Sequence, residues 1–560
     1  MKKHFFIYLI LALLPGCFTC CEDTLTEKPD SFYEKDQYFT SESKAEMAVL
    51  GIYSAISKID HYGRNEMATG VSDDTYYING VATDNTRRDM AHYDLNSANS
   101  WVETLWRYKY QGIDCANYVI DGIENMPGYT ENDKLKKFVA EARFLRAFLA
   151  FDLVKCWGDV PFKTSYSSNY ESAFQGRVDR ETIYDEIIAD LNFAKTTLDW
   201  ATADQTPERP SQGAARALLM RAYLQRAGYS LQLDGSITRP DESKRKAYFN
   251  AVLEEWNAFQ TKGYHNFYAG GYVQLFKDYS GLVLDTQESL FEISFYNDGT
   301  APYGNWGTYN GPEVIAPGIQ TGESDRFMGR ANAFFRVVPE WKGFFEDDDV
   351  RRDVMVCTYI YNWNAALYSH VKAENKSNKW YPGKWRREWM PIGFLDPNNT
   401  SVNFCPLRYA DVVLMAAEAY NETGNTSQAW TLLNTVRTRA NATPVTADNY
   451  SELLKAPKVY DLAFIPDGDE AGKFRTALYW ERAFELAFEG QRKYDLIRWG
   501  VIKQALEVFG SNSAVNKPIS TSDNYPAYKN FVSGKHELFP IPLKEIQSNP
   551  KLDGKNNPGY

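Results

Sequence analysis

The sequence predicts a mostly α-helical fold in which tetratricopeptide-like helix pairs pack against a loop-rich C-terminal region. Three observations carry that expectation. Long stretches place apolar residues at helical spacing behind Ser, Asn or Asp caps. Two of them set small residues against large aromatic ones, as in Ala142, Ala147, Phe148 and Phe151, and in Ala214, Ala217, Ala222 and Tyr223. Small against large is how stacked helix pairs interlock, although no strict repeat period is visible. From Phe267 to Phe404 the helical period gives way to short apolar runs separated by Gly, Pro and Asn.

Composition narrows the function classes. With 560 residues and 44% hydrophobic content the chain can bury a large core. A net charge of −12 disfavours nucleic acid and anionic membrane surfaces, which would be repelled. Aromatic content of 15%, including 14 Trp and 38 Tyr, suits surfaces that stack on the apolar faces of sugars. Six His without paired-Cys or HExxH spacing give no metal site, and no phosphate loop or nucleophile elbow is present. No catalytic residue, metal or cofactor is therefore expected.

Taken in order, Lys2 and Lys3 head an apolar run from Phe5 to Leu14 that is too short to span a bilayer and reads as an export signal over residues 1–20. Leu14 and Gly16 precede Cys17 as in a lipoprotein box, with Cys21 as the competing acylation site. The N-terminal helical region, 21–265, opens with an extended arm at Asp30 to Asp36 and a helix from Ser41 to Ile59. His61 to Ala98 reads as a long ordered loop. Trp101 to Met126, Glu131 to Trp157, Arg180 to Leu198, Ser211 to Tyr229 and Ser243 to Gln260 are five further helices. The C-terminal region, 266–560, begins with the loop-rich aromatic segment 267–404 and returns to helix at Arg408, with a helix pair turning at Gly424 and Asn425. Cys115, Cys156, Cys357 and Cys405 are spaced too irregularly for a metal or redox motif and read as buried thiols.

The stretch Thr476 to Gly500 organises the rest. Tyr479, Ala483, Leu486 and Ala487 form one strip, with Trp480, Phe484 and Phe488 beside it, so this is a core helix needing cover over most of its circumference. Glu481, Glu485 and Glu489 read as exposed structural charges, with Glu489 to Lys493 and Asp495 to Arg498 as ion pairs within the stretch. Gly490 either ends the helix or admits a close neighbour. Arg492 and Asp495 should meet polar partners.

The same stretch, read as ERxxELxFEGxRxxDLxRWG, resembles the C-terminal signature of the SusD/RagB family, with every fixed position from Glu481 to Gly500 filled. EARFLRAFLAFDLVKCWGDVP from Glu141 to Pro161, RYADVVLMAAEAYNETG from Arg408, LLNTVRTRA from Leu432 and FPIPLKEIQSNPKLDGKNNPGY from Phe539 are also similar to that family. So is CEDTLTEKP at Cys21, as a mature N-terminus. The resemblance implies a SusD-like fold and a lipid-anchored protein on the outer-membrane surface. It implies capture of oligosaccharide for a SusC-like TonB-dependent transporter, and no chemistry. Peptide or glycopeptide capture is the alternative within the family. A surface glycoside hydrolase would need two carboxyls about 5 to 9 Å apart across a cleft, and the sequence singles out no such pair. A tetratricopeptide-type adaptor would be silent toward glycans.

The family phrases leave two segments unmatched, His61 to Ala98 and Phe267 to Phe404, and these are expected to meet on one face and hold the ligand. Trp306, between Gly304 and Gly307, is the first candidate for a stacking platform, then Tyr309, Tyr303 and Trp363, with Tyr76 and Tyr77 from the other segment. Asp73, Asn79 and Arg87 are the candidates for the hydroxyls. Trp341, Trp385 and Trp389 are expected to hold the loops together.

Overall fold

A computed structural model describes residues 38–80, 82–453, 455, 458–516 and 525–560. The export signal, both acylation candidates Cys17 and Cys21, and the arm at Asp30 to Asp36 lie outside the described residues.

The predicted helices form, most of them from side-chain caps. Helix α1 (Glu42–Ile56) starts at Ser41, whose hydroxyl accepts from Lys44 N–H. Helices α2 (Ser100–Glu124) and α3 (Asp133–Trp157) start at Asn99 and Asn132, each of which satisfies two of the otherwise unpaired first-turn N–H groups. Asp179, Ser211 and Asp241 cap α4 (Arg180–Thr197), α5 (Gln212–Ala227) and α6 (Glu242–Lys262) in the same way. Each helix packs on the next in sequence. The row continues past a shorter α7 (Gly271–Ser280) through α8 (Tyr409–Glu422), which packs on α6, and α9 (Thr426–Arg439), paired with α8. The chain is mostly helical, as its periodicity requires. One continuous apolar core runs from Phe39 to Leu552.

Strands are few and occur in pairs. β1 (Tyr76–Ile78) pairs antiparallel with β3 (Phe335–Val337), β2 (Ser289–Ile293) with β6 (Phe404–Arg408), and β4 (Tyr359–Asn364) with β5 (Ser369–Glu374). The segment from His61 to Ala98 is therefore not a surface loop. It contains β1 and a short helix, Arg87–Ala91, and most of its first half is buried.

The central stretch is two helices, not one. Helix α10 (Glu470–Leu486) stops where Phe488 and Gly490 take φ of 71° and 83°, and α11 (Arg492–Arg498) restarts beyond the turn. Gly490 lies in the turn beyond the helix end at Leu486, where its positive φ favours glycine, and the close approach is permitted by Gly70, whose Cβ would fall 2.6 Å from the Gly490 carbonyl oxygen. Trp480, Phe484 and Phe488 are buried as expected. Asp495 pairs with Arg482 and Arg498, and Arg492 pairs with Asp74.

The glutamates of this stretch are buried, not exposed. Glu481 accepts from Arg351 at 2.5 Å and Arg437 at 2.9 Å. Glu485 accepts from Arg408 at 2.8 Å and from Arg439, and Glu489 from Arg408 and Lys384 rather than from Lys493. Charge spacing along one helix carries no sign of this, because the five cations come from residues 351 to 439. Burial pushes the Glu485 carboxyl up, but Arg439, Arg408 and Arg351 outweigh it and hold the group down at about 2. Lys493 is instead a buried amine among the rings of Tyr93, Tyr494 and Phe539, lowered to about 8 chiefly by burial.

Candidate ligand-binding face

The two unmatched segments do meet. Beyond the β1–β3 pairing, Val338 N–H donates to Thr75 O at 2.9 Å, and Asn305 N–H to Gly63 O at 2.8 Å. The Arg87 guanidinium lies 3.9 Å from the centre of the Phe334 ring. The junction is mostly interior, which changes the roles of several candidates.

Trp306 is not an open platform. It is 3% exposed, stacks on Phe404 with ring centres 4.2 Å apart, and donates its indole N–H to Tyr62 O at 2.9 Å. The neighbouring glycines allow close packing and do not clear the ring: a Cβ on Gly307 would sit 2.3 Å from Met390 Cε. Tyr76 and Tyr77 are likewise buried, against Phe335 and Phe488 and against Tyr525. Asp73 closes a turn, accepting from Thr75 N–H and Thr75 Oγ1 at 2.7 Å each, and burial beside Asp74 raises its carboxyl to about 7. Water and sugar hydroxyls are out of its reach. Asn79 accepts Arg88 Nε at its carbonyl, and Arg87 pairs with Asp84 at 3.4 Å. Both are half-buried. Tyr303 and Tyr309 are half-buried as well, and Tyr309 stands edge-on to Phe334 at 4.7 Å. Trp341 and Trp385 are fully enclosed and Trp389 packs partly buried against the core, in the cross-linking roles expected of them.

Trp363 differs from all of these. It sits on the β4–β5 hairpin, half-buried, directly across from His370 in the register. Phe327, Tyr368 and His370 surround it edge-on at 5.3, 5.3 and 5.2 Å, leaving an aromatic cluster at the surface. Strand alternation puts Tyr359, Tyr361 and Trp363 on one face of β4, spaced about 7 Å apart at about 3.4 Å per residue. That period-two pattern was visible in YIYNWN and is the signal that distinguishes Trp363 from Trp306. Phe327 and Tyr368 have no such signal, since they reach the cluster from a turn and an irregular segment.

A cavity of about 360 Å³ opens beside this cluster, lined by Asn297, Asp325, Arg387, Ile392 and Asn399. The segment 324–327 borders both: it carries Phe327 to Trp363, and it is held by Gly393 N–H to Phe327 O and Phe394 N–H to Ser324 O, each at 3.1 Å. Arg387 is buried, donates to Pro391 O and Gly393 O, and has no carboxylate partner among the described residues. Burial lowers it to about 10, so it stays cationic at neutral pH. The arrangement offers flat apolar rings next to amide, carboxylate and guanidinium groups, the pairing that binds a polyhydroxylated ring. No three His, Cys, Asp or Glu side chains converge as a metal site among the described residues.

Residues 287–560 match the model described as the SusD family, and residues 23–224 match a second, described as starch-binding associating with outer membrane. The chain belongs to the SusD/RagB family. SusD-like protein P25 of Formosa agariphila is 26% identical over 588 residues, covering 99% of each chain. A crystal structure of a SusD homolog from Bacteroides thetaiotaomicron superposes with a TM-score of 0.77 at 27% identity, covering 94% of this chain and 98% of the other. Surface glycan-binding protein A from Bacteroides thetaiotaomicron, solved with laminarihexaose, shares the fold at a TM-score of 0.65 and 18% identity, covering 92% of this chain and all of the other, 100%. The SusD-like architecture expected from the C-terminal signature is thus the observed one. No helix of this SusD-family chain is long and apolar enough to cross a membrane among the described residues.

Proposed function

We propose that this protein is a cell-surface oligosaccharide-binding lipoprotein that captures glycan on the Trp363 face and delivers it to a SusC-like TonB-dependent transporter. The observation that carries the reading is the half-exposed cluster of Trp363, Phe327 and Tyr368 beside a cavity with Asn297, Asp325, Arg387 and Asn399. Family membership supports it, as does the glycan binding of the structural relative solved with laminarihexaose. Trp363 is the stacking ring, and Tyr309 and Arg87, which both meet the Phe334 ring, and Tyr303 are secondary candidates. Lipid on Cys17 or Cys21 would hold the mature chain to the outer membrane, and binding would proceed without cleavage.

A glycan array tests the ligand class: binding of intact oligosaccharide by the wild-type chain, lost in Trp363→Ala, is the expected result. Binding of peptides with no response to any glycan would move the assignment to peptide capture, and release of shorter sugars would make the protein a hydrolase. Mild-detergent purification from the native membrane should bring down a large TonB-dependent protein. Replacing both Cys17 and Cys21 by Ala should release the chain from the membrane fraction; continued attachment would refute acylation.

A further inference from the structure

A second concave site, sharing no lining residue with the cavity beside Trp363, lies where the end of α5, the start of α6, α8, α10 and α11 converge. It encloses about 450 Å³ and includes Tyr229, Arg239, Arg245, Glu422, Arg475 and Trp499 in its wall. The backbone there is tightly built: Tyr229 N–H donates to Arg498 O at 2.7 Å, and a Cβ on Gly228 would fall 2.5 Å from Arg498 Cβ. The walls are therefore fixed by the packing of α5 against the end of α11.

Its charge is unbalanced. Glu422 is the one carboxylate that Arg475 meets, at 2.6 Å, and it lies 3.5 Å from Arg245. Arg239 lies over the Tyr229 ring at 4.8 Å and has no carboxylate partner among the described residues. The other wall acid, Glu418, is already bound by both terminal nitrogens of Arg498 and by the Trp499 indole N–H. Three guanidiniums thus face one available carboxylate. Burial, followed by the nearby charges of Arg239 and Arg475, lowers the Arg245 guanidinium below its ordinary value. In a protein of net charge −12 a local excess of cations is unusual, and a guanidinium presents paired N–H groups suited to a carboxylate or sulfate.

We propose that this pocket is a binding site for an oxyanion carried on a small ring, such as a carboxylated or sulfated sugar unit, with Arg239, Arg245 and Arg475 gripping the anion and Tyr229 and Trp499 flanking the ring. The site stands apart from the Trp363 face and does not depend on it.

Titration calorimetry of the wild-type chain with inorganic sulfate, D-galacturonate and D-galactose tests it. Sulfate should bind, galacturonate should bind at least as well, and galactose should not bind here. The double variant Arg239→Gln/Arg475→Gln should weaken both anions at least tenfold while keeping the wild-type melting temperature, since both side chains are exposed. Arg239→Lys should recover part of the loss. Trp363→Ala should leave anion binding unchanged, which separates this site from the glycan face. Absence of anion binding, or equal binding in the double variant, would overturn the proposal.

Discussion

Arg492 donates Nε and Nη2 to the two carboxylate oxygens of Asp74 at 2.8 and 2.6 Å, both side chains being buried. Its third arm donates to Tyr479 O at 2.7 Å, and the Tyr479 hydroxyl donates to Asp74. A segment near the N-terminus is thereby locked to the helix pair α10–α11. Removing one partner strands a buried charge, so Asp74→Ala should cost about 3 to 5 kcal/mol. The double variant Asp74→Leu/Arg492→Met should cost clearly less than the two single changes added together. Denaturant unfolding measures both, and strict additivity would show that the pair is not coupled.

Phe484 stacks on Trp341 with ring centres 5.2 Å apart and meets Phe345 at 4.6 Å. Truncation to Ala leaves a cavity in the middle of the core and should destabilise by about 3 to 5 kcal/mol. A melting curve unchanged from wild type would contradict that position.

Stability should fall in acid because of Glu485. Its folded-state group is held at about 2 against an ordinary 4.5, so the unfolded chain takes up a proton before the folded one does. The stabilisation is complete above pH about 4.5 and is lost as pH drops through about 2. It amounts to about 3 kcal/mol. Asp152 and Asp411, also depressed by buried cations, add to the same trend. Unfolding free energies at stepped pH should therefore slope less steeply in Glu485→Gln than in wild type; parallel slopes would assign the acid sensitivity elsewhere.

Two tryptophans should separate cleanly. Trp306→Ala removes a ring sealed between Phe404 and Trp385 and should lower stability by about 3 to 5 kcal/mol. Trp363→Ala should leave the melting temperature near wild type and weaken binding of an array-identified glycan about tenfold or more, a stacking contribution of about 1 to 3 kcal/mol by analogy with bases on aromatic rings. The opposite pattern would return Trp306 to the site.

Much of this was legible in the sequence, for identifiable reasons. Helices α1 to α6, α8 and α9 announce themselves because capping and apolar period are local properties, and the burial of Trp480 and Phe484 follows from the same period. What depends on distant partners did not. The burial of Glu481 and Glu485 is decided by Arg351, Arg408, Arg437 and Arg439, which no spacing on the helix foretells. The glycines around Trp306 looked like clearance, when their missing Cβ atoms let Met390 and Trp385 close over the ring. Of the nine ligand candidates, Trp363 alone combined an irregular neighbourhood with a strand alternation, and it is the one that stands in a surface aromatic cluster.

The buried charge lattice also sets what can be exchanged in this molecule. Arg351 and Lys384 pair with Glu481 of α10 and with Glu489 in the turn that follows it, and the β4–β5 hairpin lies between them in sequence, attached at its edge through Val314 and Ile315. Those two cations act as fixed posts for a removable cassette. Beyond Tyr361 the hairpin can be rewritten in length and aromatic content, whereas Tyr359 is tied to Arg386 and Glu388. A transplant that takes either post removes one of the two cations on a core glutamate, leaving Glu481 with Arg437 or Glu489 with Arg408 alone. Sequence change at the hairpin tip is thus decoupled from the electrostatic constraint that binds the interior.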